Sequence, residues 1–358
     1  MRLYLFLLLM LWLVACNADQ ERPNDARQLA AGLQSKLPVS VFDQPEGKLI
    51  KLLSPGTTIQ ETTQTTSYFS FLTIEGQTYC EPWLKIALPQ QQEGWIFPNP
   101  NELAMRDSAA YIHWIHQKRM QAIWGERLVS SIHAYGKAFE AIQTAEDFVT
   151  TYQKGYALRD TLIVALSDAS TLTAQRKLPD LFWLKACIPG FTPQLIHQEK
   201  DYYLFQDYKQ WAAQAQRTKG KADDAFVDFL FQVFPVDSLE YTVPAWKIEY
   251  AEKQHYSLLG RGIHQQLLDR MQGLIDAETP FVESLNRIKR GLVEDITQAD
   301  IAFWEPSAMA IQELDAILAT AYTFLSQEDW IGLKSRRQQL EQPQQWGIRF
   351  HLKSGNYN

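Results

Sequence analysis

The sequence lacks several features that mark common classes of protein. Its 358 residues include only three cysteines, 17 glycines and 16 prolines, which excludes a disulfide-rich scaffold and a collagen-like or low-complexity chain. It also lacks an excess of positive charge, with 34 Lys and Arg against 41 Asp and Glu. Because phosphate neutralisation requires a concentrated basic face, this balance argues against nucleic acid as a partner.

Motifs that bind phosphate or dinucleotide cofactors are missing as well. The chain contains neither G-x-x-x-x-G-K-S/T nor G-x-G-x-x-G, so no cofactor is indicated. What is present is a hydrophobic content of 46%, which is too high for a disordered chain. A chain longer than about 250 residues usually divides into more than one core. We therefore predict a multi-domain α+β protein.

One long apolar run occurs at the amino terminus. It extends from Leu3 to Ala15 without a charged residue, after Met1 and Arg2. A membrane-spanning helix needs about 20 apolar residues, whereas a shorter run is typical of the core of a signal peptide. We predict that residues 1–15 are a signal peptide.

The end of this run, Leu13-Val14-Ala15-Cys16, resembles the lipobox of bacterial lipoproteins. The resemblance implies cleavage before Cys16, diacylglycerol on its thiol and acylation of the new amino terminus, and two or more acyl chains hold a protein stably on a membrane. Residues 16–36 are polar and would form a tether. We expect a lipoprotein of the cell envelope, anchored in the outer membrane. The alternative is a secretory peptide or transmembrane anchor in which Cys16 has no role.

Residues 37–98 have the pattern of a small β module. Runs rich in Val, Ile, Thr, Tyr and Phe alternate with turn residues about every 8 to 12 positions. The turns are supplied by Asp43-Gln44-Pro45-Glu46-Gly47, Ser54-Pro55-Gly56 and Glu75-Gly76. This pattern predicts a small all-β barrel.

The order of particular residues in this module is similar to that of the bacterial SH3 domain. The most recognisable stretches are Trp83-Leu84-Lys85-Ile86 and Gly94-Trp95-Ile96-Phe97, and the pattern opens with Val41-Phe42. The chain departs from the family in the Thr- and Gln-rich segment from Glu61 to Ser67 and in the turn Gln90-Gln91-Gln92. The resemblance implies an SH3-like barrel that binds peptidoglycan or an envelope protein and does not itself catalyse a reaction.

The candidates for a ligand-binding groove on this module are four aromatic residues, Tyr68, Phe69, Trp83 and Trp95. Exposed aromatic rings provide a large contact area at a low cost in entropy. The alternative for Trp83 and Trp95 is that they fill the barrel and its closing seam, because so small a barrel needs large apolar groups.

From residue 99 onward the apolar residues follow a helical period. Residues 99–358 are expected to form a mainly α-helical domain, with a hairpin or irregular insert between Phe182 and Tyr203 and a point of subdivision near residue 220. Thr144 and Ser326 each precede carboxylates that would fall in the first turn of a helix, which is typical of helix N-termini.

Two cysteines remain if Cys16 carries lipid. Cys80 and Cys187 would lie in a compartment that permits disulfides, so they either form a bridge or are buried thiols. A thiol hydrolase of the cell wall would need a cysteine activated by histidine. Cys187 lacks the sequence context of such enzymes, and His197 follows it too closely to match their base.

Two further pairs of residues are considered for metal binding or catalysis. His113 and His116 could share a metal, but they lack the H-E-x-x-H spacing of zinc proteases. Glu313 and Asp315 could flank a glycosidic bond, although their spacing puts them on different faces of a helix. The sequence therefore predicts a non-catalytic binding protein without a bound metal. A cell-wall hydrolase, with catalysis in the helical domain, is the alternative.

Overall fold

The computed structural model describes residues 32–196, 200–250 and 254–351. The predicted signal peptide, Cys16 and most of the predicted tether lie outside these ranges. The described residues form a mixed α/β protein of helices and several small sheets. Their contacts divide it into two compact units: unit 1 runs to Val129 and includes Ser170–Asp180, and unit 2 comprises Ser130–Ala169 and the chain from Leu181 onward. No helix in the described ranges has the length and apolar content that crossing a bilayer requires.

Unit 1 is built on an antiparallel sheet of five strands. The strands of this unit are β1 (Gln34–Ser35), β2 (Val39–Phe42), β3 (Leu49–Leu53), β4 (Gln60–Ile74), β5 (Gln77–Ala87), β6 (Glu93–Ile96) and β7 (Leu103–Ala104). Strands β2 to β6 form one sheet in the order β3-β2-β6-β5-β4, and β1 pairs with β7. A 3₁₀ turn at Pro89–Gln91 joins β5 to β6.

Alternation of side chains gives this sheet two apolar faces. The first buried cluster includes Val39, Val41, Leu84, Ile86 and Ile96. The second contains Tyr79, Trp83 and Phe97, with Phe42 and Trp95 partly buried against it. Neighbours in sequence such as Trp83 and Leu84 fall in different clusters because successive side chains of a strand point to opposite sides. The sheet thus buries apolar groups on both faces.

The sheet is open within the described residues, so the predicted closed barrel is not found. Strands β3 and β4 form its two edges and do not pair with each other. Strand β3 has five residues, so it is too short to pair along the whole of the 15-residue β4. The register of β4 also shifts between Glu61 and Phe69, where the Thr- and Gln-rich segment interrupts its ladder with β5. The expected combination of a β module and helices is confirmed, whereas barrel closure is not.

Unit 1 extends past the boundary predicted at residue 98. Helix α1 (Ser108–Glu140) is broken at Gly125, which has φ 71° and ψ 167°, a conformation that is essentially restricted to glycine. The first part of α1 belongs to unit 1, as does Ser170–Asp180. In this second segment the Ala174 N–H donates to the Phe69 carbonyl at 2.8 Å, which attaches it to β4.

Polar contacts with the sheet explain why the start of α1 belongs to unit 1. The Arg119 guanidinium donates from Nε to the Glu81 carboxylate of β5 at 2.7 Å and forms an ion pair with it. Trp114 Nε1 donates to Glu61 of β4 at 3.0 Å, and the same carboxylate pairs with Lys118 at 2.7 Å. The helical and strand periods of the sequence do not predict these polar contacts, because each contact joins residues that are far apart along the chain.

Unit 2 combines helices with two small sheets. Besides the second part of α1, its helices are α2 (Ala145–Leu162), α3 (Tyr208–Ala215), α4 (Ala222–Val233), α5 (Ile263–Asp276), α6 (Val282–Thr297), α7 (Ser307–Ala319) and α8 (Gln327–Gln339). Strands β8 (Phe191–Ile196) and β9 (Asp201–Gln206) form a hairpin. Strands β10 (Lys247–Tyr250), β11 (Gln254–Ser257), β12 (Ala302–Phe303) and β13 (Arg349–Phe350) form a sheet in that order.

Local signals in the sequence of unit 2 are largely confirmed. Thr144 and Ser326 cap α2 and α8, each in a capping box with an aspartate three residues later. The hairpin of β8 and β9 overlaps the region expected between Phe182 and Tyr203 and extends to Gln206. No pattern predicts β12 and β13, because two residues are too few to show a period.

Aromatic rings form the centre of unit 2. Phe226 of α4 and Phe281 stack with centroids 4.0 Å apart and ring planes at 3°. Tyr152 of α2 meets Phe226 edge-on at 5.3 Å, and Trp211 of α3 contacts Tyr152 at 4.9 Å. These contacts join residues on both sides of residue 220, so the expected point of subdivision lies within one unit.

We expect the substitution Arg119→Gln to lower the free energy of unfolding by about 3 kcal/mol, because loss of one partner leaves a buried charge uncompensated. Glu81 is 5% exposed, and burial raises its pKa although Arg119 opposes the shift. Denaturant unfolding of the full chain measures the loss. The control is Arg106→Gln, which breaks the surface ion pair with Asp107 and is expected to cost less than about 0.5 kcal/mol. Equal losses in the two variants would contradict the role assigned to Arg119.

Candidate functional site

Trp83, one of the four predicted ligand-binding residues, is part of the core. It is 2% exposed, and its indole Nε1 donates to Ser70 Oγ at 3.0 Å. Phe42 and Phe97 meet its ring edge-on at centroid distances of 5.4 and 5.5 Å. Trp83 therefore does not line an exposed groove. It fills the interior of the β module, which was the alternative expected from the sequence.

Phe69 and Tyr68 are neighbours on β4 but differ in exposure. Phe69 is 2% exposed, so it is also excluded from a surface groove. Tyr68 is half-buried, and burial, with a smaller contribution from the charge of Glu46, raises the pKa of its hydroxyl. The phenol is protonated at neutral pH and can donate or accept a hydrogen bond. Of these two residues only Tyr68 is accessible to a ligand.

Trp95, the fourth predicted residue, lies at the edge of the second apolar cluster. It is half-buried and stands opposite Phe42 of β2 and Lys85 of β5. The residue before it is glycine because a Cβ on Gly94 would collide with the Val41 side chain. Trp95 is thus held against the cluster while part of its side chain stays accessible.

Four partly buried side chains pack against the second cluster, and we call them the rim surface: Phe42, Leu72, Ile74 and Trp95. They are apolar, accessible and supported by a packed core, which are the properties of anchoring residues in binding interfaces. The rim surface is the candidate binding site. Phe42, Leu72 and Ile74 were not predicted to bind a ligand, because only tertiary packing shows which face of a strand stays uncovered.

Strand β3 adds a second apolar feature to unit 1. Leu49, Ile50 and Leu52 are 58%, 48% and 57% exposed although all three lie in a strand. Strand β3 is at the edge of the sheet, so among the described residues it has a neighbouring strand on one side only. The run from Leu49 to Leu53 has no alternating pattern, and the sequence therefore does not predict this exposure.

The cysteines in the described ranges give no support to a thiol hydrolase. Cys80 and Cys187 are both thiols and do not form the disulfide considered from the sequence. Burial, with a smaller contribution from Glu81, raises the pKa of Cys80 to about 12, which keeps it protonated and weakly nucleophilic. Cys187 Sγ donates to the Trp183 carbonyl at 3.7 Å. His197 lies outside the described residues.

Glu313, one of the carboxylates considered for glycosidic cleavage, caps a helix. It accepts hydrogen bonds from the backbone N–H groups of Gly260, Gly262 and Gln265 at 2.5, 2.9 and 3.1 Å. Helix α5 begins here, and its N-cap Gly262 has no side chain that could accept these bonds. Glu313 is buried and Asp315 is exposed, so the two carboxylates do not face a common substrate.

A buried group of charged side chains lies beside this cap. His264 Nε2 is 2.9 Å from Asp295 Oδ2, and its Nδ1 is 3.9 Å from Glu313 Oε1. Lys247 Nζ is 3.6 Å from Asp295 Oδ1. His264 and Asp295 are fully buried, so a substrate cannot reach them. The group links α5, α6 and α7 and has a structural role.

The two histidines considered as metal ligands lie on α1. Within the described ranges, no group of three or more His, Cys, Asp or Glu side chains is placed to hold a metal ion. His116 is half-buried, and burial lowers its pKa to about 4, with smaller contributions from the charges of Arg119 and His113. His116 is therefore neutral at pH 7.

Strands β10 to β13 carry an aromatic group that the sequence does not predict. Trp304 and His351, which directly follow β12 and β13, stack with ring centroids 3.8 Å apart. Tyr250 of β10 and Tyr256 of β11 meet the His351 ring edge-on at 4.8 and 5.4 Å. Because the rings contact one another, they hold four short strands together.

Comparisons of the chain with models of protein families, with curated proteins and with solved structures returned no match. The fold and site define a two-unit α/β protein that presents neighbouring apolar side chains on the sheet of unit 1. Its function is therefore inferred from the rim surface and the residues around it.

The lowered pKa of His116 predicts a pH dependence of stability. The unfolded chain takes up the His116 proton below about pH 6.5, whereas the folded chain takes it up only near pH 4. The contribution of this residue to the free energy of unfolding therefore falls as the pH decreases from about 6.5 to 4. Unfolding of His116→Gln is expected to depend less steeply on pH in this range. His255→Gln, at an exposed position in unit 2, is the control, and parallel curves for wild type and His116→Gln would contradict the prediction.

Proposed function

We propose that this chain is a lipoprotein of the bacterial cell envelope whose unit 1 is an SH3-like binding module. Cys16 carries the lipid anchor in the outer membrane, and the rim surface binds peptidoglycan or an envelope protein without catalysis. The observation that carries this proposal is the contrast within the second cluster: Trp83 is fully packed, whereas Phe42 and Trp95 above it stay accessible.

The connectivity of unit 1 supports the SH3-like assignment. Strands β2 to β6 are consecutive in the chain and form one sheet, in which every pairing is antiparallel and β2 pairs with β6. The two stretches that resemble the family, Trp83-Leu84-Lys85-Ile86 and Gly94-Trp95-Ile96-Phe97, lie on adjacent strands with Leu84 opposite Ile96. The resemblance implies a barrel, whereas this sheet stays open between β3 and β4.

The rim surface has the properties of a recognition surface. The rings of Trp95 and Phe42 combine a large contact area with few rotatable bonds, and the packed Trp83 beneath them restricts their movement. Lys85, opposite Trp95, forms an ion pair with Glu93 at 2.5 Å, so its charge is compensated within the protein. These features favour a ligand that offers an apolar or peptide-like group to the rings.

The anchor is tested by replacing Cys16 with Ala in the full chain. Without this thiol diacylglycerol cannot be attached, and we expect cells grown with labelled palmitate to produce labelled wild-type protein and unlabelled Cys16→Ala protein. Cys80→Ala removes a different thiol and is expected to keep the label. A wild-type chain that incorporates no label, or a Cys16→Ala chain that does, would contradict the anchor.

The binding surface is tested by Trp95→Ala in the full chain. Truncation of an anchoring aromatic residue is expected to weaken binding at least about fivefold. Co-sedimentation with purified peptidoglycan sacculi and crosslinking to envelope proteins in intact cells measure the two proposed ligands. Trp346→Ala is the matched control, since Trp346 is 57% exposed in unit 2.

Two outcomes would overturn the proposed binding function. If wild-type chain neither sediments with sacculi nor crosslinks to an envelope protein, the module is not a binding module. If the full chain releases soluble fragments from sacculi, the hydrolase alternative is supported instead.

A further inference from the structure

Strand β3 combines exposed aliphatic and basic side chains. Leu49, Ile50 and Leu52 are about half exposed, and Lys48 and Lys51 are exposed beside them. We call these five residues the β3 patch. A register shift in the pairing of β2 with β3 leaves Ile50 without an opposite residue. Such a bulge bends a strand and breaks its alternation, which explains why successive aliphatic residues are exposed here.

The composition of the β3 patch indicates lipid and not protein as its occupant. Anchoring residues of protein interfaces are mostly Trp, Tyr and Arg, whereas Leu is under-represented among them and Lys is depleted from interfaces. An exposed lysine on an edge strand such as Lys51 also opposes pairing with a further strand. Aliphatic side chains flanked by lysines suit a bilayer surface, where the ammonium groups reach the headgroups while the aliphatic groups enter the interfacial region.

The charges of the patch are complementary to anionic phospholipid. The chain has a net charge of −7, yet the β3 patch contains two lysines and no carboxylate. In the described part of the chain Lys48 and Lys51 form no ion pair. The nearby Asp43 carboxylate accepts from the backbone N–H of Lys48 at 2.8 Å and does not pair with its ammonium group. Both positive charges therefore remain available to headgroup phosphates.

The position of β3 in the chain is compatible with contact with the membrane. The first described residues are bonded to the segment that follows β3: the Gly56 N–H donates to the Ser35 carbonyl at 2.7 Å, and the Ile59 N–H to the Leu33 carbonyl at 2.8 Å. Sixteen residues lie between Cys16 and Leu33, and they span at most about 58 Å when fully extended. A lipid on Cys16 would therefore keep β3 within reach of the membrane surface.

We propose that the β3 patch docks unit 1 on the anionic phospholipid surface of the membrane. That β3 lies near a membrane rests on the proposed lipid anchor at Cys16. That β3 binds phospholipid rests on the residues of the β3 patch alone. Docking would supply a second attachment beside the acyl chains. It would also orient the module, because a tether alone leaves its orientation free.

Hydrogen exchange of the full chain, purified from membranes and placed on vesicles, tests the docking. One vesicle type contains equal parts of phosphatidylglycerol and phosphatidylcholine, and the other contains phosphatidylcholine alone. We expect the backbone amides of residues 49–53 to exchange more slowly on the first type. Loss of two lysines near an anionic surface corresponds to about a 30-fold loss of partitioning, so Lys48→Gln/Lys51→Gln is expected to remove this difference.

A second pair of substitutions tests the aliphatic part. Leu49→Ser/Leu52→Ser is expected to abolish the protection on both vesicle types. The matched control is Val164→Ser/Ile331→Ser, which removes aliphatic side chains that are 74% and 60% exposed in unit 2 and is expected to leave the exchange of residues 49–53 unchanged. The comparison of the two vesicle types needs no variant, so it tests docking on anionic phospholipid even if a variant folds poorly.

The outcomes separate this inference from the proposed function. Equal exchange of residues 49–53 on both vesicle types and in detergent would overturn the docking, whereas palmitate labelling at Cys16 would still support the anchor. Protection on anionic vesicles in a chain that carries no label would support the docking and overturn the anchor. Protection that needs no lipid and increases with protein concentration would assign the patch to a second copy of the chain and overturn the docking.

Discussion

Strand β5 has to bury both of its faces, and the rest of unit 1 depends on this constraint. Its alternation sends Leu84 and Ile86 to one cluster and Trp83 to the other. The first cluster is completed by Trp114 and Ile115 of α1, so the sheet needs the helix that follows it. The second cluster is closed only by partly buried side chains, which leaves the rim surface accessible. The two faces of β5 thus account for the packing of α1 in unit 1 and for the candidate binding site.

Buried charges determine where the helices of both units begin or attach. Arg119 compensates Glu81 in unit 1, and Glu313 supplies the cap that Gly262 cannot provide in unit 2. The combination of His264 with carboxylates would suggest catalysis if it were accessible, but its burial makes it structural. Such pairs are costly to break one partner at a time, because the remaining charge stays buried without compensation.

The two proposals for unit 1 concern adjacent parts of one sheet. Leu49 of the β3 patch stands opposite Phe42 of the rim surface, so the edge proposed to meet lipid adjoins the surface proposed to bind a ligand. A module docked through β3 would hold the rim surface near the membrane. The lipid anchor and the β3 patch would then restrict the rim surface to ligands that lie close to the membrane.

Local chemistry was sufficient to predict the capping of α2 and α8 by Thr144 and Ser326 and the strand pattern of the β module, because each depends on neighbours in sequence. Alternation along a strand then assigns successive residues of β5 and β6 to opposite faces of the sheet. Only the tertiary structure decided that Trp83 is packed while Trp95 stays accessible, and that the sheet remains open at β3. The physical reason is that exposure depends on what covers a face, and the covering residues come from distant parts of the chain.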